Sequence, residues 1–436
     1  MIGFLRKIIP ASWLSFYHFT LAKVAAFAYG NPSKDLIVIG VTGTNGKTTT
    51  SYYLAKALEA EGAKAGLTTT AILKIGDKEW LNKTKMTMPG RFWLQRMLRD
   101  MVKAGCTYAV IETSSQGLIQ HRHIGIQYDG AIFTNLTPEH IEAHGGFEAY
   151  KKAKRILFEH IAAGKPKHFK GKRIKPFFVL NADDQFATYY ARAVAADDVL
   201  WFGLSSKKGM QATDIKLSDQ GSAFVVDEEN VELHQPGEFM VYNALAALQT
   251  AKHLGISVHE AAAALADIQV VPGRMERVEA GQAWTVIVDY APEPESFRQL
   301  YEALAFIPRK KTIHVLGSCG GGRDLSRREV LGQLAAERAD IVIVTNEDPY
   351  DDDPQEIIDQ VAAGARAKGK VDGQNLFTIL DRKEAIYKAM SLATSGDLVV
   401  MTGKGCEPWI CVAHGKKLPW DEVQIAKEAI QYVSQQ

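Results

Sequence analysis

Residues 35–50 read DLIVIGVTGTNGKTTT, and they decide the fold. Leu36–Val41 is an almost continuous apolar run that ends in a glycine-rich turn. Such a run suits a parallel strand covered on both faces. Asp35–Val41 is therefore expected as a strand and Thr48–Glu61 as the helix after it. The strict pattern G-x-x-x-x-G-K-[ST] fails at one position, where Val41 stands in place of the first glycine. The physical parts of a phosphate loop remain. Gly43 and Gly46 let backbone N–H groups approach phosphate oxygens, and the helix N-terminus adds its dipole and free donors. Lys47 can reach the β- and γ-phosphates, and the Thr48 hydroxyl can hold Mg²⁺. Thr44, Asn45 and Thr49 complete the set expected around the nucleotide. A glycine turn that only caps a helix is the competing reading, and the strand–loop–helix context with its GKT ending argues against it. ATP and Mg²⁺ follow as expected cofactors. A phosphate loop alone does not separate kinases, GTPases, motors and ligases.

Working outward, further strands are expected at Tyr108–Glu112, Gly130–Thr134, Phe177–Leu180 and Val199–Phe202, with helical patterns between some of them. The first half reads as α/β with a mainly parallel sheet. Near Val271-Pro272-Gly273-Arg274 the pattern restarts. Strands at Thr285–Asp289, Thr312–Leu316, Ile341–Thr345, Leu376–Leu380 and Leu398–Met401 are each followed by a helical segment. That is a second, Rossmann-like unit, with functional groups expected at its strand ends. The domains are placed at 1–35 (a short helical segment), 36–273 (a P-loop central domain) and 274–436 (the C-terminal domain).

The chain has 436 residues, which suits two to four domains. Lys plus Arg is 51 and Asp plus Glu is 50, so no basic excess points to nucleic acid. The cysteines, Cys106, Cys319, Cys406 and Cys411, form no CxxC pair and no disulfide framework. This argues against zinc and fits a reducing cytoplasm. Residues 1–30 carry Arg6 and Lys7 before an apolar stretch, the arrangement of a signal peptide. Pro10, Ser15, His18 and Lys23 interrupt the stretch, and no run reaches the ~20 apolar residues of a spanning helix. The bland reading is a helix docked on the next domain. The sharper one is an interfacial helix in peripheral contact with a membrane.

Other candidates surround the phosphate loop. Glu112 ends a strand in AVIETSSQGL, His140 lies in TNLTPEHIEAHGG, and Lys154 lies in YKKAKRILFEH. Strand ends in an α/β sheet face one crevice, so Glu112 and His140 can both approach the loop. Imidazole is an unusual Mg²⁺ ligand, and an isolated histidine near a loop is more often a hydrogen-bonding surface residue. In the second half, Arg323 follows the glycines of GSCGGGRD, where a guanidinium can grip an α-carboxylate in bidentate fashion. A salt bridge to Asp324 or Glu329 is the alternative.

GVTGTNGKTTT, ETSSQGLIQHR, TNLTPEHIEAHG and YKKAK, in this order, resemble the central domain of Mur ligases. VLNADD, GEFMVYNALAA, VPGRMERV, VDYAPEPESF, GSCGGGRD, TNEDPYDDDP and GKGCE continue the resemblance from about residue 36 to the end. Within the family the chain is most similar to the tripeptide synthetases, which add the third amino acid of the peptidoglycan stem. The resemblance implies an ATP-dependent ligase that activates a carboxylate as an acyl phosphate and couples it to an amine. It implies Glu112 and His140 as ligands of a second Mg²⁺, with Lys154 carbamylated to serve the same metal. Asn181 and Asp183, with Asn243, would belong to the nucleotide face. Arg274 would reach the phosphates from the hinge, and Asp289 would contact the ribose. Ser114 and Arg122 are implied on the acceptor side. Asp348 and Glu407 would face the side chain or amine of the incoming amino acid. The implied partners are a muramyl-peptide-type acceptor and a free amino acid.

The chain also departs from the family. About 35 residues before the loop cannot form the family's UDP-holding domain. Glu347-Asp348-Pro349-Tyr350 replaces the Asp-Asn-Pro-Arg of the diaminopimelate-selecting branch, so its arginine is absent. Pro292 stands for a nucleotide-side histidine, and Met240 for the first of two paired asparagines. Two acids without that arginine predict a distal amine on the incoming amino acid, with lysine or ornithine expected. Competing acceptors are a lipid-linked muramyl compound, a polyglutamate or a cyanophycin-like peptide. A P-loop regulatory protein without ligase chemistry would need neither Lys154, Glu112 and His140 together nor Arg323.

Overall fold

The computed structural model describes residues 11–138, 141–193, 195 and 198–435. His140 lies outside the described residues. The first described element is α1 (Ala11–Ala28), which packs against α3 (Arg91–Lys103). Next come β1 (Ile37–Thr42) and α2 (Lys47–Glu59). All of β1 is buried, as a continuous apolar run requires between two helical layers. The remaining strands of the same sheet are β2 (Ala65–Thr68), β3 (Ile72–Ile75), β4 (Lys78–Leu81), β5 (Tyr108–Glu112), β6 (Gly130–Phe133), β7 (Phe177–Asn181), β8 (Val199–Gly203) and β9 (Met210–Gln211). The nine-stranded sheet runs β9-β8-β7-β6-β1-β5-β2-β3-β4. It is parallel except at β2–β3 and β3–β4.

The order of strands positions the site. β1 lies between β5 on one side and β6 on the other. The chain switches direction across the sheet there, which opens a crevice at the carboxyl ends of these strands. Register sharpens this: Val41 pairs with Glu112 and Thr42 with Phe133. Glu112 therefore ends its strand level with the start of the phosphate loop. Helices α4 (Ser115–Ile119) and α5 (Phe147–Ala162) follow β5 and β6.

A three-stranded antiparallel sheet, β10 (Thr213–Ser218), β11 (Gly221–Val226) and β12 (Glu229–Leu233), was not expected. Its second turn places Asp227 and Glu228 at φ 50° and 69°. Such turns usually announce themselves by Asn-Gly or Asp-Gly. Two acidic residues hide the signal. Helix α6 (Glu238–His253) packs alongside α2.

The second sheet contains β13 (Glu276–Arg277), β14 (Thr285–Val288), β15 (Thr312–Leu316), β16 (Ile341–Thr345), β17 (Leu376–Ile379) and β18 (Leu398–Met401), in the order β13-β14-β18-β15-β16-β17. All pairs are parallel except β13–β14. Leu316 pairs with Val344, and Val315 with Met401. The loops after β15, β16 and β18 thus leave the sheet side by side. A hairpin of β19 (Trp409–Val412) and β20 (Lys416–Pro419) projects beyond β18. The architecture is α/β, a P-loop sheet followed by a Rossmann-like sheet, as the alternation of strands and helices predicts.

Helix α1 has an inverted pattern. Ala22, Ala25 and Ala26 are its buried contacts, while Trp13, Phe16, Tyr17, Val24 and Phe27 are exposed, with Phe19 exposed at the edge of their arc. At 3.6 residues per turn the large exposed side chains fall in one stripe. Among the described residues no helix is long and apolar enough to cross a membrane.

Candidate active site

The phosphate loop is held open by contacts to its neighbours. Gly46 caps α2 at φ 79°, and a Cβ there would lie 2.2 Å from Asn243 Oδ1. Only glycine accepts both the left-handed backbone and that approach. Thr44 N–H donates to Asn135 O at 2.8 Å, and Asn45 N–H to Asn135 Oδ1 at 2.8 Å. Thr134 Oγ1 donates to Asn45 O at 2.7 Å. The strand β6 thereby braces the loop, leaving Lys47 at the start of α2 with its ammonium turned back to Thr44 O.

Around this loop the fold gathers a polar cluster. Thr48 Oγ1 donates to Glu112 Oε2 at 2.9 Å. Glu112 also accepts from Thr70 N–H at 2.8 Å and from Thr70 Oγ1 at 3.0 Å. Arg274 Nη2 reaches Thr48 Oγ1 at 3.3 Å, and its guanidinium stacks 4.5 Å from the Tyr290 ring centroid. Lys154, almost fully buried on α5, donates to Gly43 O at 2.6 Å and lies 4.4 Å from the Tyr150 ring. Gly273, just before Arg274, permits a close backbone approach: at φ 66° a Cβ would lie 2.3 Å from Cys406 N. The next strand brings Asp289, which accepts from Met275 N–H at 2.7 Å and Ala291 N–H at 2.8 Å. Burial pushes the Asp289 carboxyl up, against the opposing pull of Arg274 and these donors.

The strand ends of the second sheet close the cleft from the far side. One continuous cleft is lined by Thr44–Thr49, Glu112, Ser114, Lys154, Asn243, Arg274, Asp289, Arg323, Asp348 and Glu407. The structure therefore brings together most of the residues singled out in the sequence. Asn181 and Arg122 do not line it. Asn181 donates to Thr134 O at 2.8 Å, behind the loop. Asp183 accepts from the N–H groups of Leu204, Ser205 and Ser206 and from Tyr242, so it holds a turn. Arg122 donates to Met88 O and Gln120 Oε1, bracing the loop before α3. Ser114 lines the cleft while capping α4 through Gly117 N–H. Met240 is buried beside Tyr53, away from the cleft, whereas Pro292 lines it.

One expectation needs correction. Asp348 and Glu407 do not form an uncompensated acidic pocket. Lys85 pairs with Asp348 and lies 2.7 Å from Glu407. Lys404 lies 3.0 Å from Asp348 and 2.8 Å from Glu407. Cys411 N–H adds a donor to Asp348 at 2.7 Å. Burial would raise the Asp348 carboxyl, but Lys404 and Lys85 outweigh it and hold it below the usual range. Two lysines balance the two acids, so the charge of the pocket gives no preference for a distal amine. Neither lysine was picked out from sequence. Lys404 sits inside GKGCE, where the acid drew attention, and Lys85 lies in a loop, TKMTMPG, without a recognisable pattern.

The Mur ligase middle domain matches residues 41–251, and the Mur ligase glutamate ligase domain matches residues 273–405. The chain is 39% identical to UDP-N-acetylmuramyl-tripeptide synthetase of Roseiflexus sp. (strain RS-1), over 98% of this chain and 84% of that protein. The chain belongs to the Mur ligase family. It is also 36% identical to UDP-N-acetylmuramoyl-L-alanyl-D-glutamate–2,6-diaminopimelate ligase of Geobacillus kaustophilus (strain HTA426), over 97% of this chain and 84% of that one. A solved structure of a ligase of that name matches with a TM-score of 0.59 and 30% identity, covering 91% of this chain and 79% of the other. A Mycobacterium tuberculosis folylpolyglutamate synthase complexed with ADP, 17% identical, shares the fold with a TM-score of 0.70 over 98% of this chain and 95% of its own. As a Mur ligase the protein is an ATP-dependent ligase.

Proposed function

We propose that this Mur ligase couples a free amino acid to the carboxylate of a muramyl-peptide-type acceptor in peptidoglycan precursor synthesis. The supporting observation is the shared cleft, with the phosphate loop on one wall and Arg323, Asp348 and Glu407 on the other. Residues 36–273 then bind and activate, and residues 274–436 deliver the amine.

The chemistry follows from the charges. A carboxylate is a poor electrophile. Transfer of the γ-phosphoryl group to its oxygen breaks the bond to the β-phosphate, releases ADP and makes an acyl phosphate. Two anions must approach each other, so the loop N–H groups, Lys47 and Arg274 are needed to offset the charge. The amine then attacks the acyl carbon, the bond to phosphate breaks, and the nitrogen loses its proton as the amide forms. Arg323 holds the α-carboxylate of the incoming amino acid. Closure about Gly273 sets that amine against the acyl group and excludes water.

The Thr48 hydroxyl and the Glu112 carboxylate, 2.9 Å apart, are hard oxygen donors of the kind Mg²⁺ prefers. Few protein ligands suit this ion, which keeps several waters. Thr48 would hold one ion at the phosphates, and Glu112, with Lys154 as a carbamate and His140, would hold a second beside it. Bound there, Mg²⁺ would neutralise phosphate charge during transfer.

The test is a phosphate-release screen. Amino acids including lysine, ornithine, meso-diaminopimelate and glycine are offered with UDP-linked and lipid-linked muramyl dipeptides. Release that requires both a muramyl acceptor and an amino acid supports the reading. Release with folate-type polyglutamates or cyanophycin-like peptides instead would overturn it.

The exposed stripe of α1 bears on where the enzyme works. Five of its six exposed large side chains are aromatic, Lys23 lies over the Phe19 ring, and the helix carries no acid. Aromatic side chains beside a cation, with no carboxylate, suit the headgroup level of an anionic lipid surface. A triple variant, Trp13→Ala, Phe16→Ala and Phe27→Ala, is expected to bind anionic vesicles at least roughly tenfold more weakly, as loss of such apolar contacts predicts. Its melting temperature is expected to hold, because the docked face is Ala22, Ala25 and Ala26. Unchanged vesicle binding would count against the lipid contact.

A further inference from the structure

Lys85 is set apart from the other groups in the amino-acid end of the cleft, because it comes from the first sheet's side of the molecule. It lies between β4 and α3, at φ 56°, yet its side chain is only 8% exposed. Its ammonium reaches across to Asp348, Glu407 and the Trp409 carbonyl, all in the second half of the chain. Two residues earlier the Lys83 carbonyl accepts from Trp409 Nε1 at 3.0 Å. Arg122 braces the same loop through the Met88 carbonyl. A short, supported loop therefore delivers one buried cation into a pocket whose other charges belong to the opposite wall.

The charge count explains why this matters. Asp348 and Glu407 contribute two negative charges, and Lys404, fully buried, contributes one positive. Without Lys85 the cluster would carry a net negative charge and would favour a cationic side-chain end. With Lys85 it is balanced. A balanced cluster of buried charges offers partners of both signs and gives a lone ammonium no net attraction.

We propose that Lys85 is a specificity-determining residue, which neutralises the amino-acid pocket from across the cleft and turns its preference from a diamine to an amino acid whose far end is zwitterionic. This rests on the reading of the cleft as an amino-acid ligase site. The distal carboxylate meets Lys85 and Lys404, and the distal ammonium meets Asp348 and Glu407. Because Lys85 and its partners lie on opposite walls, the preference is imposed only when the cleft is closed.

The experiment measures dissociation constants of meso-diaminopimelate, lysine and ornithine by calorimetry with ADP present, for the wild type, Lys85→Met, Lys85→Gln and Lys85→Arg. Phosphate release is then measured with a muramyl dipeptide acceptor. The wild type is expected to bind meso-diaminopimelate in preference to lysine. Both neutral variants are expected to shift that ratio toward lysine or ornithine by at least roughly tenfold, as removal of one buried counter-charge requires. Lys85→Arg is expected to keep the wild-type ratio. Thermal melting identifies whichever neutral variant is folded. An equal loss for all three amino acids would make Lys85 a closure contact only and overturn the proposal. A wild type that prefers lysine, or that binds none of them, would overturn it as well. A wild type that binds as expected but releases no phosphate would overturn the ligase reading alone.

Discussion

Lys47→Ala is expected to lower ATP-dependent phosphate release by roughly a thousandfold or more, about 4 kcal/mol of transition-state stabilisation. Lys47 is the first residue of α2, directly after Gly46, whose left-handed φ turns the chain into the helix. Its ammonium folds back on Thr44 O, over the concave face of the loop. A β- or γ-phosphate seated on the loop N–H groups would draw that ammonium onto its own oxygens. Arg274 contacts Thr48 and is stacked on Tyr290, and Lys154 is held on Gly43 O, so neither is placed to take over from Lys47. The side chain carries little of the fold, so the melting temperature is expected to stay close to that of the wild type. Near-normal turnover in a folded variant would remove the phosphate-loop assignment.

Lys154→Ala is expected to be nearly inactive, with part of the activity restored by added short-chain carboxylates. Lys154 lies on α5, 1% exposed, and its amine reaches Gly43 O at 2.6 Å. An ammonium buried in the same cleft as Lys47 and Arg274 would work against cation binding at Thr48 and Glu112. Addition of carbon dioxide to the neutral amine forms an N–C bond and releases one N–H proton, giving a carbamate with a negative charge and two oxygen acceptors. That change turns an obstructive cation into a metal ligand. Intact mass measured in bicarbonate is expected to show the adduct on the wild type and not on the variant. A fully active alanine variant would take Lys154 out of the mechanism.

The two halves of the site differ in how far they could be read in advance. Around the phosphate loop, each residue is placed by its own strand or helix. An apolar run makes β1 a buried strand, the glycines set the turn, and the next residues start α2. Glu112 ends a strand, and strand ends in a parallel sheet share one edge. Local pattern and topology rules were therefore enough to expect Lys47, Thr48 and Glu112 together. The antiparallel strands β10–β12 escaped for a local reason, since their turn at Asp227-Glu228 lacks the usual glycine.

What the sequence determined by itself was the α/β architecture, the phosphate loop, the second run of parallel strands and the family. All of these rest on short-range periodicity or ordered motifs. Only the tertiary structure decided the charge of the amino-acid pocket. Lys85 lies 263 residues before Asp348 in the chain, and no periodicity relates them. Asp348 and Glu407 looked acidic in one dimension because their neutralising partners come from a loop on another sheet and from Lys404 beneath them. The same holds for α1, whose large apolar residues are too scattered in sequence to mark a docked face. Its small residues dock and its aromatic residues face outward because α3 and Gly125 leave room only for alanine, with Gly125 within 2.6 Å of Ala26 once given a Cβ. Electrostatic balance and steric fit are properties of a neighbourhood, and a neighbourhood exists only after the chain has folded.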